Sequence, residues 1–308
     1  MDRSPETYMH VGIVHFMLHP DLQTGDGPAV QTAEALAADG FFHALEITRI
    51  NDASERRAMR RLAESAHLTL GYGAHPQILS GGLDLSSADP ELRSRSVTVV
   101  KSAIDEAAEL GISMLTLLDG PGSAPTEPET NPAIVRISDS LTELCDYAST
   151  HDMWIALEQF DRAKEKNSLL GPIDLCVKVS QMVRASTPNF GLCLDLSHLP
   201  LLDEDPPTSL RAAGDHLIQA HIGNCIMRDQ EHPQYGDQHP VFGDAAGEND
   251  VPELTAYLKT LLEIGYFEKD LPTPMPLVSF EMKPASDQST AQIIGNCKRT
   301  FNLAWAQV

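Results

Sequence analysis

Three carboxylates and one imidazole lie at the ends of four short apolar segments. Glu158, Asp195, His221 and Glu281 each fall within or directly after a run of residues with the composition of a buried strand. Carboxylate oxygens and imidazole nitrogens are donors that bind divalent ions such as manganese and magnesium. The alternative is that each residue is buried separately with its own polar partner. We predict that the four side chains meet and hold one divalent metal ion.

The apolar segments that carry these residues belong to a series of eight. We predict strands at residues 9–16, 44–48, 68–74, 113–118, 154–160, 190–196, 217–222 and 277–282. Helical patterns follow at residues 31–39, 52–66, 90–110, 133–149, 172–185, 207–213, 251–264 and 289–306. Asp89 before Pro90 is typical of a helix start, and Gly40 is typical of a helix end. The chain therefore alternates strand and helix eight times.

This alternation predicts an α/β fold, namely a single (β/α)8 TIM barrel that spans residues 1–308 as one domain. Consecutive strands are neighbours in such a barrel, so the ends of strands five to eight converge at one mouth. The competing architecture is a doubly wound open sheet, which uses a glycine-rich phosphate-binding turn. The sequence contains neither G-x-G-x-x-G nor G-x-x-x-x-G-K-[ST], so we favour the closed barrel.

The charge and composition of the chain argue against some classes of binding partner. The formal net charge is −22, the opposite of the basic balance with which proteins neutralise nucleic-acid phosphate. We therefore expect neither a nucleic-acid partner nor adsorption to an anionic membrane. No apolar run reaches about 18 residues, so no membrane-spanning helix is expected. The five cysteines form no C-x-x-C pair and the N-terminus has no apolar signal core, which predicts a cytoplasmic protein with buried free thiols.

Four motifs give the sequence a family resemblance: Leu157-Glu158, Leu194-Asp195-Leu196-Ser197-His198, Ala220-His221-Ile222-Gly223 and Phe280-Glu281. The chain resembles the xylose-isomerase-like barrel superfamily, in particular its sugar isomerase/epimerase branch, which includes tagatose and psicose 3-epimerases and hydroxypyruvate isomerase. The resemblance spans nearly the whole barrel. It implies that Glu158, Asp195, His221 and Glu281 bind one ion, manganese in preference to cobalt or magnesium. It also implies that His198 contacts a small carbohydrate substrate.

The resemblance and the donor set together imply an isomerase or epimerase. Such an enzyme removes a proton next to a ketose or inosose carbonyl, and the substrate passes through an enediolate. Glu158 and Glu281 are the predicted catalytic residues, because each keeps one oxygen free if it binds the ion through the other. Lys283 lies two residues beyond Glu281 and faces the same way, so we predict that it contacts substrate. A solvated lysine at a strand end is the alternative.

Further polar residues are candidates for the substrate pocket. His15, Glu46 and His75 lie near the exits of strands one, two and three, where a core or capping role is the alternative. Asp237 and His239 belong to segment 235–243, within a long irregular stretch after strand seven. We interpret this segment as an active-site lid, because long loops at this end of a barrel commonly carry function.

The sequence departs from the epimerase pattern at two positions. Epimerases often carry an arginine six residues after the strand-seven histidine, where this chain has Met227 followed by Arg228. Arg228 is therefore our candidate for the substrate-binding arginine. Epimerases also tend to carry a second glutamate six residues after the strand-five glutamate, where this chain has Lys164 followed by Glu165. The substrate and the reaction type therefore stay open.

Two other enzyme classes share this fold. A metal-dependent lyase begins with the same proton abstraction and then expels a substituent. The α subunits of C-glycoside deglycosidases, which the chain also resembles, do this to 3-oxo-glycosides with a small partner subunit. An endonuclease of the superfamily would hold several zinc ions through many histidines, and the acidic charge argues against it. A binding barrel without catalysis, a homo-oligomer and a small partner subunit also stay open.

Overall fold

The computed structural model describes residues 4–308, in which eight parallel strands close into a barrel in sequence order. The strands are β1 (His10–Val14), β2 (Ala44–Ile47), β3 (Thr69–Gly73), β4 (Met114–Leu117), β5 (Trp154–Glu158), β6 (Phe190–Asp195), β7 (Leu217–Ile222) and β8 (Leu277–Phe280). β8 pairs with both β7 and β1 and so closes the ring. The predicted (β/α)8 TIM barrel is confirmed.

The described residues contain ten α-helices. They are α1 (His15–Leu18), α2 (Ala29–Asp39), α3 (Ala53–Ala66), α4 (His75–Gly81), α5 (Pro90–Glu109), α6 (Thr130–Ser149), α7 (Ile173–Arg184), α8 (Pro206–Ala213), α9 (Val251–Glu263) and α10 (Thr290–Trp305). Polar caps start several of them: the Asp52 carboxylate accepts two backbone N–H groups at α3, and Ser289 and Gln292 form a capping box at α10. Gly40 ends α2 with a φ of 74°, which favours glycine.

Two apolar layers hold the strands in place. Leu45, Leu115 and Leu157 belong to one large core that the strands share with the inner faces of the helices, such as Ile137 of α6. A second, smaller cluster comprises Ala44, Met114, Ala156, Cys193, Ile218 and Leu277. Each fully buried leucine contributes roughly 1.5–3 kcal/mol to the stability of the fold. The two layers therefore make a rigid support for the side chains at the strand ends.

The first strand is shorter than predicted. We expected it to run to residue 16, but β1 ends at Val14 and the chain turns directly into α1. His15 begins this helix, and its Nε2 lies 2.8 Å from the hydroxyl oxygen of Thr32 in α2. Because the strand alternation stops before His15, its ring is buried against α2 and does not line the cavity over the barrel mouth. The prediction that His15 lines the substrate pocket is therefore corrected.

A second unpredicted helix follows β3. Our predicted elements leave residues 75–89 without a helix, whereas α4 runs from His75 to Gly81. Pro76 lies in its first turn, where a missing backbone N–H removes no helical hydrogen bond. The chain leaves the helix at Gly82, whose φ is 54°. His75 therefore starts a helix directly at the end of β3 and does not lie in a loop.

The buried ring of His15 predicts a dependence of stability on pH. Burial and, to a smaller extent, the neighbouring His19 lower the pKa of His15 from its ordinary value of 6.5 to about 3. Below pH 6.5 the unfolded chain therefore binds a proton at this residue, whereas the folded chain binds it only near pH 3. The stability of the fold consequently decreases as the pH is lowered through this window. Within this window, His15 lowers the free energy of unfolding by about 1.4 kcal/mol for each unit of decrease in pH.

This dependence is measurable by urea unfolding between pH 7.5 and 4.5. His15→Gln keeps a donor for Thr32 but cannot take up the proton, so its stability should fall less steeply with pH than that of the wild type. Parallel curves for the two proteins would contradict the assignment to His15.

All five cysteines are buried and unpaired, as predicted. Burial raises the pKa of Cys193, which lies in the barrel interior, well above its ordinary value.

Of the helices in residues 4–308, none has both the length and the apolar character that crossing a lipid bilayer requires.

Candidate active site

The strand register brings the four predicted ligands to one end of the barrel. Glu158 is the last residue of β5, Asp195 is the last residue of β6, and Glu281 follows β8 directly. His221 lies one residue before the end of β7, with its Cα paired to that of Asp195. Because the strands are parallel and adjacent, all four side chains emerge at the carboxyl-terminal mouth, where barrel enzymes carry their active sites.

The four side chains converge on one point. One donor atom from each of Glu158, Asp195, His221 and Glu281 lies within 4.8 Å of the other three, and all four residues are buried. His221 Nδ1 lies 3.1 Å from Glu158 Oε1 and 3.1 Å from Glu281 Oε2. Three buried carboxylates at such short range repel one another unless a cation lies between them. The donor set, with three oxygen ligands and one imidazole, fits a divalent ion.

A polar network below the ligands fixes the imidazole of His221. Its Nε2 lies 3.0 Å from Glu46 Oε2, which also accepts a hydrogen bond of 2.7 Å from the side-chain amide of Gln219. The Thr116 hydroxyl donates to Gln219 Oε1 over 2.6 Å. A carboxylate behind one ring nitrogen keeps the lone pair of the other directed at the ligand position. Burial would raise the pKa of Glu46, but His221 lowers it below its ordinary value.

Replacing Glu46 by glutamine should therefore weaken metal binding without removing a ligand. Removing the charge behind a ligating histidine typically costs about 10–100-fold in metal affinity. Isothermal titration of Mn²⁺ into metal-free protein measures this effect directly. The metal-free variant should melt at a temperature close to that of metal-free wild type, and an unchanged Mn²⁺ affinity would contradict the role assigned to Glu46.

Two histidines flank Glu158. His75 Nε2 lies 2.9 Å from Glu158 Oε2. His198 Nδ1 donates to the carbonyl oxygen of Gln159 over 2.7 Å, and His198 Nε2 lies 3.1 Å from Asp237 Oδ1. Burial would lower the pKa of His198, but Asp237 raises it well above its ordinary value. The predicted substrate residues His75 and His198 thus both lie at the candidate metal centre.

The loop after β7 folds over this centre. Asp237 Oδ1 lies 3.0 Å from His239 Nε2, and both residues are buried. His239 Nε2 also lies 3.6 Å from Glu281 Oε1. Burial would lower the pKa of His239, but Glu281 and Asp237 raise it to about 9. The segment that we interpreted as a lid therefore delivers Asp237 and His239 to the site, where His239 lies beside Glu281.

A cavity of about 420 Å³ opens above these residues. His75, Asp237, His239, Glu281 and Lys283 line its inner part. Its wall also contains residues that the sequence did not mark: Phe16, Met17, Leu79, Arg49, Phe160 and Lys166. The volume is within the range of roughly 300–1,000 Å³ that is typical of small-molecule sites.

Arg228 is absent from this cavity. Its guanidinium forms an ion pair of 2.9 Å with Glu248, and 62% of its side chain is exposed. Two residues earlier, Ile226 pairs with Gly236 and Gly247, which holds the start of the long loop in place. Within the described residues the structure therefore contradicts the placement of Arg228 at the substrate. The other predicted site residues, apart from His15, lie at the candidate metal centre or line the cavity.

The family model described as "Xylose isomerase-like TIM barrel" matches residues 30–293. The chain belongs to this family. The family resemblance predicted from the four strand-end motifs is thus confirmed. The sugar epimerases among the relatives of this chain also confirm the predicted branch. An L-ribulose 3-epimerase from Methylomonas sp. is 27% identical over 218 residues, which cover 67% of this chain and 71% of the epimerase. A probable endonuclease 4 from Thermoplasma acidophilum is 30% identical over 116 residues, or 38% of this chain and 36% of that protein.

Solved structures share the complete fold. The structure of an L-ribulose 3-epimerase has a TM-score of 0.75 at 18% sequence identity and covers 97% of this chain and 95% of its own. The IolI protein with a bound zinc atom has a TM-score of 0.73 at 17% identity, over 97% of this chain and 99% of its own. The epimerases among these relatives support the predicted enzyme class, and their names do not favour the lyase alternative.

Proposed function

We propose that the chain is a divalent-metal-dependent sugar isomerase or epimerase that moves a proton next to a carbonyl group. The observation that carries this proposal is the pair Glu158 and Glu281. One carboxylate oxygen of each glutamate lies 3.1 Å from Nδ1 of His221, which belongs to the candidate metal donor set. The other oxygen of each glutamate faces a second histidine. That second partner is His75 for Glu158, at 2.9 Å, and His239 for Glu281, at 3.6 Å.

The proposed chemistry uses these two carboxylates as complementary bases. The bound ion, held by Glu158, Asp195, His221 and Glu281, would polarise the ketone and so acidify the neighbouring C–H bond. One glutamate removes the proton, and the other returns a proton to the same or the adjacent carbon. His75 and His239 orient the two carboxylates. His198, Asp237 and Lys283 are the proposed contacts to substrate hydroxyl groups.

The metal is proposed to be manganese, with cobalt or magnesium as alternatives. Oxygen-rich donor sets with one imidazole accept all three ions. The zinc atom bound to the IolI protein, which has the same fold, supports a metal ion in this barrel. The epimerase relatives support a ketose as the substrate.

The endonuclease alternative receives little support. The match to the probable endonuclease 4 covers 38% of this chain, and the net charge of −22 opposes contact with phosphate backbones. A salt-dependent gel shift of DNA by metal-loaded protein would nevertheless favour it over the isomerase.

The experiment that tests the proposal is product analysis with paired epimers. Protein loaded with Mn²⁺, Co²⁺ or Mg²⁺ is incubated with L-ribulose or with D-psicose. Separate incubations contain the carbon-3 epimer of each sugar. An epimerase should bring both members of a pair to the same final mixture, whereas an isomerase should convert each member into its own aldose. A lyase would instead release the substituent of a 3-oxo-glycoside irreversibly. Absence of conversion for all ketoses and all three metals would contradict the proposal.

A further inference from the structure

Five buried carboxylates surround the candidate metal centre: Glu46, Glu158, Asp195, Asp237 and Glu281. Most of their ion-pair partners are histidines. Within residues 4–308, Lys166 is the only lysine or arginine that forms an ion pair with any of the five. Sequence reasoning did not mark this residue, because nothing in its charged loop distinguishes it from the neighbouring Lys164.

The backbone holds Lys166 rigidly at the cavity wall. The buried Asp161 carboxylate accepts hydrogen bonds from the backbone N–H groups of residues 163 to 166, and the bond from Lys166 is 2.6 Å long. The Lys166 carbonyl oxygen accepts a hydrogen bond of 2.7 Å from the N–H of Gly122. These contacts leave 17% of the Lys166 side chain exposed and direct its ammonium group toward the loop after β7.

The ammonium group and two imidazoles share one carboxylate. Lys166 Nζ lies 3.1 Å from Asp237 Oδ2, while Asp237 Oδ1 lies 3.1 Å from His198 Nε2 and 3.0 Å from His239 Nε2. Glu165 supports the arrangement by pairing with Lys166 and accepting a hydrogen bond of 3.2 Å from the Asp237 N–H. The Asp237 side chain is 2% exposed, so its orientation depends on these partners rather than on water.

We propose that Lys166 is a positioning residue: by fixing the carboxylate of Asp237, it orients His239, which lines the cavity, and the buried ring of His198 beside it. Without the ammonium group, one Asp237 oxygen loses its cationic partner, and the carboxylate turns away from the two rings. The inference rests on the proposed function only for its kinetic consequence. The geometric consequence, a displaced pair of imidazoles, holds for any reaction at this site.

The kinetic test uses Lys166→Met, with Lys164→Met as the matched control because Lys164 is an exposed lysine of the same loop. With D-psicose as the probe, kcat/KM should fall by about 10–100-fold in Lys166→Met, mainly through KM, as expected when a supporting contact is lost. Lys166→Arg should recover most of the loss, and Lys164→Met should behave as wild type.

A double-mutant cycle separates positioning from a general structural role. If Lys166 acts through Asp237, the double variant Lys166→Met/Asp237→Asn should be no less active than Asp237→Asn alone. Additive losses would overturn the proposal. So would a Lys166→Met protein that unfolds or releases its metal ion, because either result would show a structural role.

The second measurement needs no turnover. Nuclear magnetic resonance of the histidine rings in Mg²⁺-loaded protein reports the surroundings of His198 and His239. Their signals should shift in Lys166→Met and in Asp237→Asn but not in Lys164→Met, and unshifted signals would overturn the proposal. If wild type converted no ketose, the proposed function would fail, while the ring signals would still decide the role of Lys166.

Discussion

Glu158→Gln and Glu281→Gln should each lower turnover by roughly 10²–10⁴-fold, the usual contribution of a positioned base. Glutamine keeps the shape of the side chain and one oxygen that can face the ion, but its amide cannot accept a proton near neutral pH. Each variant should therefore retain metal while it loses catalysis. The measurements are initial rates of ketose conversion, together with metal content by plasma mass spectrometry after gel filtration.

The surface variant Glu263→Gln is the control for these two substitutions, since Glu263 pairs with Arg211 on the outside of the barrel. His198→Asn should behave differently, with a rise in KM that exceeds its effect on kcat, because His198 is assigned to substrate contact. If Glu158→Gln and Glu281→Gln both kept near-normal rates, the two-carboxylate mechanism would be wrong. The base would then have to be sought at His75 or Lys283, which line the same cavity.

Asp195→Ala should abolish metal binding and activity together. Its carboxylate is one of the four converging donors, and loss of a direct ligand should cost more than the roughly 10–100-fold attributed to supporting residues. The fold should survive, because Asp195 lies at the end of β6, and its hydrogen bonds run to the N–H and hydroxyl of Ser197 nearby. Losing such contacts costs about 1–3 kcal/mol.

The variant is examined by metal analysis and circular dichroism at 25 °C. Asp229→Ala, at an exposed aspartate in the loop after β7, is the control and should bind metal normally. An Asp195→Ala protein with a full complement of metal would contradict the assignment of this residue as a ligand.

The sequence was sufficient to predict the barrel and the position of its mouth. Apolar residues repeat every 2 positions in strands and every 3.6 positions in helices, and both patterns can be recognised in a short stretch of sequence. Eight alternations of strand and helix are compatible with only a few chain topologies. The convergence of Glu158 and Glu281, at the ends of β5 and β8, follows from the closed parallel barrel, because the carboxyl ends of all its strands meet at one mouth. Their roles as bases remain predictions until they are tested.

The loops were not predictable in the same way. His15 was assigned to a strand end because the apolar run continues through Phe16, and no local signal shows that β1 stops at Val14. The family resemblance places Arg228 at the substrate, one residue beyond the position at which epimerases often carry an arginine, but its side chain forms an ion pair with Glu248. Lys166 meets Asp237 across a long sequence separation. Contacts of that kind depend on loop conformation, which single-sequence patterns do not encode.

The central claim is that this site abstracts a proton next to a carbonyl group with the help of a divalent ion. Incubation of D-psicose with Mn²⁺-loaded protein in deuterated water, followed by magnetic resonance of the recovered sugars, tests it most directly. We predict deuterium at the carbon next to the carbonyl, no incorporation in the presence of a chelator, and recovery when Mn²⁺ is restored. Conversion of the sugar without deuterium at that carbon, or undiminished incorporation in the chelator, would contradict the account.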